Sequence, residues 1–160
     1  MVAAGVSGVV MSFLLSFAFF TNRSFTSLTN YLDLDQKTEA ALDKMSQQIR
    51  QVNSLSAYTS NSLTFVDYDG ATLQYTYNSD SQTLRRTKSG VTDTLLTGCT
   101  SLQFSIFQRT PCSNTFLPYS TATVTNTKII ELTWNCSRKI FGRSANNESM
   151  QSARVVIRKK

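Results

Sequence analysis

The spacing of apolar residues divides the chain into two regions, with a change of pattern near Ser56. Before this point, apolar residues run almost continuously from Val2 to Phe20 and then recur every three or four positions as far as Val52. After it, short segments alternate between apolar and polar residues, as β-strands with one buried face do. Neither glycine nor proline occurs between Val9 and Ser56. The pattern predicts one long helix followed by a β domain.

The first part of this helix has the length and composition of a membrane span. No charged residue occurs between Val2 and Phe20, and a helix over that range measures about 28 Å, close to the thickness of a bilayer core. A cleavable signal peptide is the alternative, because Ser16-Phe17-Ala18 has the small-residue spacing of a cleavage site. The length of the apolar run, with only Met1 before it, favours the membrane span.

Small residues recur every four positions within the apolar run, at Ala4, Gly8, Ser12 and Ser16. A face of small side chains lets the backbone of a second helix approach closely in lipid. The other interpretation is that membrane helices simply tolerate such residues. The spacing predicts a helix-packing face without naming the partner.

Beyond Asn22 the helix is predicted to continue as an amphipathic rod to about Leu55. Its apolar face is expected to pack on the apolar face of the sheet, because no other segment of the chain is a good cover for that face. The helix residues predicted for this contact are Leu42, Met45, Ile49 and Val52, and the sheet residues are Phe104, Ile106 and Trp134.

The β domain is predicted as an antiparallel, meander-like sheet of about five or six strands. The predicted strands are Leu63–Val66, Leu73–Tyr77, Thr83–Arg86, Leu102–Phe107, Ile129–Trp134 and Ala153–Ile157. The predicted fold class is therefore α+β, with a long N-terminal helix packed on a C-terminal antiparallel sheet. Its parts are a transmembrane half of the helix (1–21), an amphipathic half of the same helix (22–56) and a β head domain (57–160).

The segment Asp67-Tyr68-Asp69-Gly70 admits two interpretations. Aspartate followed by glycine between two strand-like runs predicts a tight hairpin. The same residues resemble the opening of a calcium-binding loop, but Ala71, Thr72 and Leu73 follow where such a loop needs more oxygen ligands. The hairpin is the favoured interpretation.

The three cysteines are Cys99, Cys112 and Cys136. If Leu102–Phe107 pairs antiparallel with Ile129–Trp134, Cys99 becomes a cross-strand neighbour of Cys136, close enough for a disulfide. Cys112 is then unpaired. In the alternatives, Cys112 pairs with Cys136, or the cysteines are free and buried.

The charged residues give little indication of chemistry. The net charge of +6 lies in the β domain, where the bases are spread over several predicted strands. That distribution favours a solvated surface over a nucleic-acid site. The chain has no histidine, which removes the commonest general base and the commonest metal ligand. We predict no enzyme activity, catalytic residue, metal, cofactor or nucleic-acid partner.

Two segments of the helix resemble the type IV pilin and pseudopilin family. The segment from Met1 to Val10 is similar to the one that directly follows the FTLxE start of mature pilins. Residues 41–51, A-L-D-K-M-S-Q-Q-I-R-Q, resemble the R-M-S-x-x-I-R-Q stretch of J-type minor pseudopilins and W-type minor pilins. The fold that this resemblance implies is the one predicted above, an apolar and then amphipathic helix on a small sheet.

The resemblance implies a structural subunit of a type II secretion pseudopilus or a type IV pilus. It also implies a bacterial inner-membrane location with a single membrane pass and the head domain in the periplasm, an oxidising compartment that permits a disulfide. The implied partners are other pilins or pseudopilins, the inner-membrane assembly platform and the lipid bilayer. The family's FTLxE segment and peptidase site are not in this chain, so cleavage and N-methylation are assigned to no residue.

A second class of function fits the same pattern. A single-pass membrane protein could display an extracytoplasmic β domain for ligand binding or sensing. Arg23 alone, by the positive-inside rule, would place the β domain in the cytoplasm. We follow the opposite orientation, which the family has.

Overall fold

The structure is a computed structural model that describes residues 2–108, 122–140 and 143–158, with side chains for 5–108, 122–138 and 149–158. One helix, α1, spans Val2–Gln51 and contains 50 residues. It ends a few residues before the predicted end at Leu55. The strands that follow are β1 (Ser54–Thr59), β2 (Ser62–Val66), β3 (Thr72–Asn78), β4 (Thr83–Lys88), β5 (Val91–Thr97), β6 (Cys99–Phe107), β7 (Ile129–Ile140) and β8 (Arg143–Val156).

The strands form two antiparallel sheets. Strands β1 to β5 make a five-stranded meander in chain order, and β6 to β8 make a second sheet of three strands. The α+β fold class is confirmed, but the prediction of a single sheet of five or six strands was wrong. Strands β1 and β5 were missed, since β1 follows directly on the predicted helix and the first residues of β5 are all exposed.

The predicted hairpin at Asp69-Gly70 is present between β2 and β3. Gly70 has a φ of 80°, a conformation that glycine adopts without steric cost. The Asp67 amide donates to the Ala71 carbonyl at 2.8 Å and closes the turn. The Lys88 ammonium lies 2.5 Å from a carboxylate oxygen of Asp67 and 3.3 Å from one of Asp69, so one lysine forms ion pairs with both acids of the turn.

A close backbone contact lies at the junction of the two sheets. Gly98 connects β5 to β6 with a φ of 73°, and its carbonyl accepts a hydrogen bond from the Ser137 amide at 2.8 Å. A Cβ atom at Gly98 would lie 2.7 Å from the Ser137 carbonyl oxygen, so no other residue fits without a shift. At the other end of the junction, the Phe104 amide on β6 donates to the Ser60 carbonyl after β1 at 2.8 Å.

Helix α1 covers the core that the two sheets enclose. Its contacts are chiefly with β8, and also with β7 and β5. The first helix residue buried in this core is Leu34, and from there to Val52 the helix has one buried face. The head domain therefore packs on the C-terminal part of α1 only.

Candidate functional site

The N-terminal part of α1 has almost no contact with the rest of the chain. From Gly5 to Leu32 nearly every described side chain is exposed, and the exposed ones include large apolar residues such as Phe13, Phe17 and Phe20. Isolated large apolar side chains are normal on a protein surface, but a continuous apolar surface indicates a membrane or a partner. By length and composition, α1 is able to cross a membrane.

The hydroxyl groups of this segment are bonded within the helix. Ser12 Oγ donates to the Gly8 carbonyl at 2.8 Å, and Ser16 Oγ donates to the Ser12 carbonyl at 2.9 Å. Thr21 makes the same type of bond to the Phe17 carbonyl. A hydroxyl that is already donating costs less to bury in lipid. The polar residues of the apolar run are therefore compatible with a bilayer.

The predicted helix-packing face is exposed where it is described. Gly8, Ser12 and Ser16 have no neighbour outside the helix, and the side chain of Ala4 lies outside the described part. A face of small residues shows where a second helix fits, but nothing in the described chain occupies it. Its role stays a prediction.

The C-terminal part of α1 is packed on the sheets. Met45, Ile49 and Val52 are fully buried, and Leu42 is half-buried against the core. On the sheets, Phe104, Ile106 and Trp134 are buried in the same cluster. The indole Nε1 of Trp134 has no hydrogen-bond partner among the described residues.

Sequence reasoning missed part of this packed face, namely Leu34, Ala41 and Thr38. Leu34 and Ala41 follow the same helical spacing as Met45, so the packed face begins about two turns before the predicted start at Leu42. Thr38 is polar, and its burial depends on a partner that the sequence does not show. Its hydroxyl lies 3.3 Å from the Ser149 hydroxyl on β8 and 2.8 Å from the Asp35 carbonyl.

A polar contact connects α1 to the five-stranded sheet at Gln48. Its Oε1 atom accepts hydrogen bonds from the Tyr75 hydroxyl at 2.6 Å and from Arg86 Nε at 2.8 Å. Arg86 also pairs with Asp93 on β5. Burial raises the pKa of the Tyr75 hydroxyl, because the phenolate would lose its hydration. Tyr75 therefore stays a neutral donor.

A charged contact connects α1 to the three-stranded sheet at Asp33. Its carboxylate accepts a hydrogen bond from Arg138 on β7, and from Lys37 on the next turn of the helix at 3.1 Å. The hydrogen bonds from Lys37 and Arg138 hold the pKa of Asp33 below its usual range. This contact is the charged pair nearest to the exposed half of the helix in the described chain.

The predicted disulfide is present between Cys99 and Cys136. Strands β6 and β7 pair antiparallel from Phe107↔Ile129 to Cys99↔Cys136, with a register shift next to Cys99. Both cysteines are fully buried. The prediction that Cys112 is unpaired lies outside the described residues.

The exposed half of α1 has an apolar stripe on the side away from the head domain. At about 100° per residue, Leu34 and Val52 point to the head side of the axis, while Phe25, Leu28 and Leu32 point about 120–180° away. Phe25 and Leu28 are 64% and 55% exposed. The stripe begins after the uncharged run and ends at Leu32, just before Leu34, where the packing on the head domain begins.

The head side of the same segment is polar. Arg23, Ser27 and Asn30 follow it at the spacing of successive turns, directly below Leu34. Arg23 is the first charged residue after the apolar run. In residues 21–32 the polar face is therefore on the head side and the apolar face on the outer side, the reverse of the packed half of the helix.

One cavity lies at the end of the head domain farthest from the exposed helix. Its volume is about 270 Å³, and it is lined by Ser54, Leu55, Val124, Thr125, Thr127 and Ile157. Pockets for small organic ligands usually measure about 300–1,000 Å³ and are mostly apolar. This cavity is small and partly polar, so it gives little support to a ligand-binding function.

The sequence matches no family model and no curated protein. The structure by itself shows a long N-terminal helix that is able to cross a membrane, packed on antiparallel sheets. That architecture is compatible with a membrane-anchored, pilin-like subunit.

Proposed function

We propose that the chain is a minor pseudopilin or minor pilin, a structural subunit of a type II secretion pseudopilus or a type IV pilus. Its N-terminal helix anchors it in the bacterial inner membrane, and its head domain lies in the periplasm. It assembles with other pilins or pseudopilins through α1, at the inner-membrane assembly platform. It has no catalytic role.

The observation that carries this proposal is the apolar stripe at Phe25, Leu28 and Leu32. The stripe is exposed, it faces away from the head domain, and it continues the apolar run beyond Arg23. Apolar residues spaced by three or four positions form one face of a helix, and a second helix can pack against such a face. A filament subunit presents such a face to its neighbours and keeps its head domain on the outside.

The length of the apolar surface supports a protein partner in addition to lipid. From Val2 to Leu32 a helix measures about 45 Å, against about 30 Å for the hydrocarbon core. Tilt alone would have to reach about 50°, whereas membrane helices tilt by 0–40°. The upper part of the stripe therefore extends beyond the bilayer, where exposed apolar area is unfavourable unless a partner covers it.

The test is complementation of a gene deletion in the native host with Leu28→Glu. We expect loss of filament assembly or secretion, because a charge in the apolar stripe prevents close contact with a second helix, while the protein level and membrane fractionation stay normal. Thr26→Glu is the matched control, because Thr26 is also exposed but lies outside the apolar stripe. Normal filaments and secretion in the Leu28→Glu strain would contradict the proposed function.

The second class of function predicts a different result in the same strains. A membrane-anchored sensor or binding domain would remain active with Leu28→Glu, because its helix serves as an anchor only. Deletion of the gene would then leave filaments and secretion intact. This outcome would favour the sensor or binding domain over the structural subunit.

A further inference from the structure

Strand β5 is an open edge of the five-stranded sheet. Its first four residues, Val91 to Thr94, are exposed, and within the described chain their backbone groups are bonded to β4 alone. The other strand edges have neighbours. The Phe104 amide on β6 donates to the Ser60 carbonyl after β1, the Ala122 amide donates to the Ile106 carbonyl on β6, and β8 lies against α1.

The turn before β5 decides which of its backbone groups face outward. Strands β4 and β5 are joined by the two residues Ser89-Gly90, with φ angles of 51° and 82°. Two positive φ angles are what a type I′ hairpin turn requires. The pair that closes such a turn, here Lys88↔Val91, exchanges backbone hydrogen bonds.

Alternation along the ladder then directs Thr92 and Thr94 outward. Hydrogen-bonded and non-hydrogen-bonded pairs alternate in an antiparallel ladder, so Asp93 bonds back to β4 as Val91 does. The N–H and C=O groups of Thr92 and Thr94 point away from β4. The Thr92 hydroxyl lies 2.9 Å from the Thr87 hydroxyl across the ladder, as expected for the closer, non-hydrogen-bonded pair.

The usual protections of a sheet edge are missing from this part of β5. Lysine, proline, bulges and unpaired charges keep natural edges from pairing with other chains. Residues 91–97 contain no lysine, arginine or proline. Their single acid, Asp93, accepts a hydrogen bond from Arg86 within the sheet at 3.2 Å. The bulge at Leu95 comes only after Thr94.

The direction of the strands argues against a second copy as the occupant. Arg86 on β4 binds Gln48 of α1. Two residues further along β4, Lys88 binds Asp67, whose carbonyl accepts from Asn53, beyond the end of the helix. Strands β4 and β5 therefore run along α1. Antiparallel pairing of β5 with β5 of a second copy would turn that copy end over end, and one membrane could not hold both helices.

We propose that β5 is a docking edge for an extended segment of another protein, which adds a strand to the sheet through the backbone groups of Thr92 and Thr94. The side chains of the edge define the segment that fits. Val91 is 64% exposed and favours an apolar neighbour, and the side chain of Asp93, 47% exposed, favours a base opposite it. The contact lies in the head domain and does not depend on whether the chain is a filament subunit or a sensor.

The test is amide hydrogen exchange of the full chain in nonionic detergent, resolved to single residues. In the chain alone, the amides of Thr92 and Thr94 exchange freely, while the amide of Asp93 between them is protected by β4. The probe is a short, end-capped peptide that alternates threonine and valine around a central lysine. We expect several-fold slower exchange at Thr92 and Thr94 when this peptide is added. Equal exchange with and without it overturns the proposal.

Matched peptides separate backbone pairing from other contacts. The same peptide with methyl groups on its backbone nitrogens keeps the side chains but cannot complete the ladder, so it leaves the exchange unchanged. Glutamate in place of the central lysine weakens binding about two- to fivefold, because it meets Asp93. Slowing by the methylated peptide overturns the proposal. Slowing at higher protein concentration without any peptide overturns it as well, because the occupant is then a second copy.

A pair of variants tests the same edge from the protein side. Thr94→Pro removes an outward N–H, keeps the hydrogen bonds to β4, and abolishes the slowing by the peptide. Arg85→Gln, a change on the exposed side of β4 next to Thr94, keeps it. The melting temperature shows that each variant is folded, and the methylated peptide tests the same hydrogen bonds without any substitution. Slowing that survives Thr94→Pro in folded protein overturns the assignment of the edge.

Discussion

The two halves of helix α1 have opposite surroundings, although no residue breaks the helix between them. Up to Leu32 the helix carries a single charge, Arg23, and presents its apolar side chains outward. From Asp33 onward it carries acids and bases on its outer face and buries Met45 and Ile49 completely. The first half depends on lipid or another molecule for its cover, and the second half is covered by its own chain.

The difference shows where each half gets its stability. The packed half is held by burial and by polar contacts at Gln48 and Asp33. In the exposed half, the described hydrogen bonds lie within the helix and include those of hydroxyls such as Ser12 and Ser16. Helices in water gain most of their stability from packing. Substitutions in the packed half should therefore change unfolding of the head domain, and substitutions in the exposed half should change assembly.

The largest expected effect concerns the disulfide of the three-stranded sheet. Replacement of Cys99 and Cys136 together by serine removes a bridge between residues 37 positions apart. The chain-entropy model predicts a loss of about 3–4 kcal/mol in the free energy of unfolding. Thermal or chemical unfolding of the head domain, with the full chain in nonionic detergent, measures it. A loss below about 1 kcal/mol would mean that the bridge adds little to the paired β6 and β7 strands.

A matched pair of truncations separates the two halves of the helix directly. Ile49→Ala should cost about 2–4 kcal/mol, because Ile49 is fully buried and truncation leaves a cavity. Leu28→Ala should change the free energy of unfolding by less than about 0.5 kcal/mol, since Leu28 is 55% exposed. Chemical denaturation in detergent compares the two. Equal costs would show that the exposed half is not independent of the head domain.

The contact at Gln48 is expected to contribute less. Gln48→Ala leaves the Tyr75 hydroxyl and Arg86 Nε without their shared acceptor, at a cost of about 1–3 kcal/mol. Gln47→Ala is the control, because Gln47 is exposed on the outer face of the same turn. The difference between the two variants in denaturant midpoint measures the polar contact. Similar midpoints would mean that water replaces Gln48 at the helix–sheet boundary.

The smallest expected effect is the pH dependence of the contact at Asp33. Its pKa is lowered by Lys37 and Arg138, so its contribution to stability is present above the unfolded value near 3.9. The contribution is lost as the pH falls through the lower folded pKa. Asp33→Asn should flatten the acid side of a plot of melting temperature against pH. Asp43→Asn, on an exposed carboxylate of the same helix, is the control, and an equal flattening there would contradict the assignment.

The helix and the β6–β7 register were predictable for physical reasons. Residues 2–51 contain an apolar run long enough to cross a membrane, followed by apolar residues at helical spacing with no glycine or proline after Gly8. Both features favour a continuous helix. The cysteine pairing followed from strand alignment, because Leu102–Phe107 and Ile129–Trp134 match in length and alternation. A bulge beside Cys99 then adjusts the last step of the register.

The division into two sheets was not predictable in the same way. It depends on Gly98, whose positive φ and contact with Ser137 turn the chain between β5 and β6. A glycine between two strands reads as an ordinary turn in the sequence. The edge strand β5 was also not predicted, because an exposed strand rich in threonine lacks the alternation of apolar and polar residues. The burial of Thr38 depends on Ser149, which is distant in the chain.

Strands β7 and β8 run along α1. Ser149 on β8 contacts Thr38, and Arg138 on β7 contacts Asp33, which is nearer the N-terminus of the helix. This alignment has a mechanical consequence. A helix of 50 residues is a strut of about 75 Å. A load applied to its N-terminal end reaches the head domain along the direction of these strands. Such a load acts in shear, so Asp33–Arg138, Thr38–Ser149 and the buried apolar contacts share it at the same time. A load at right angles would instead peel these contacts apart one after another.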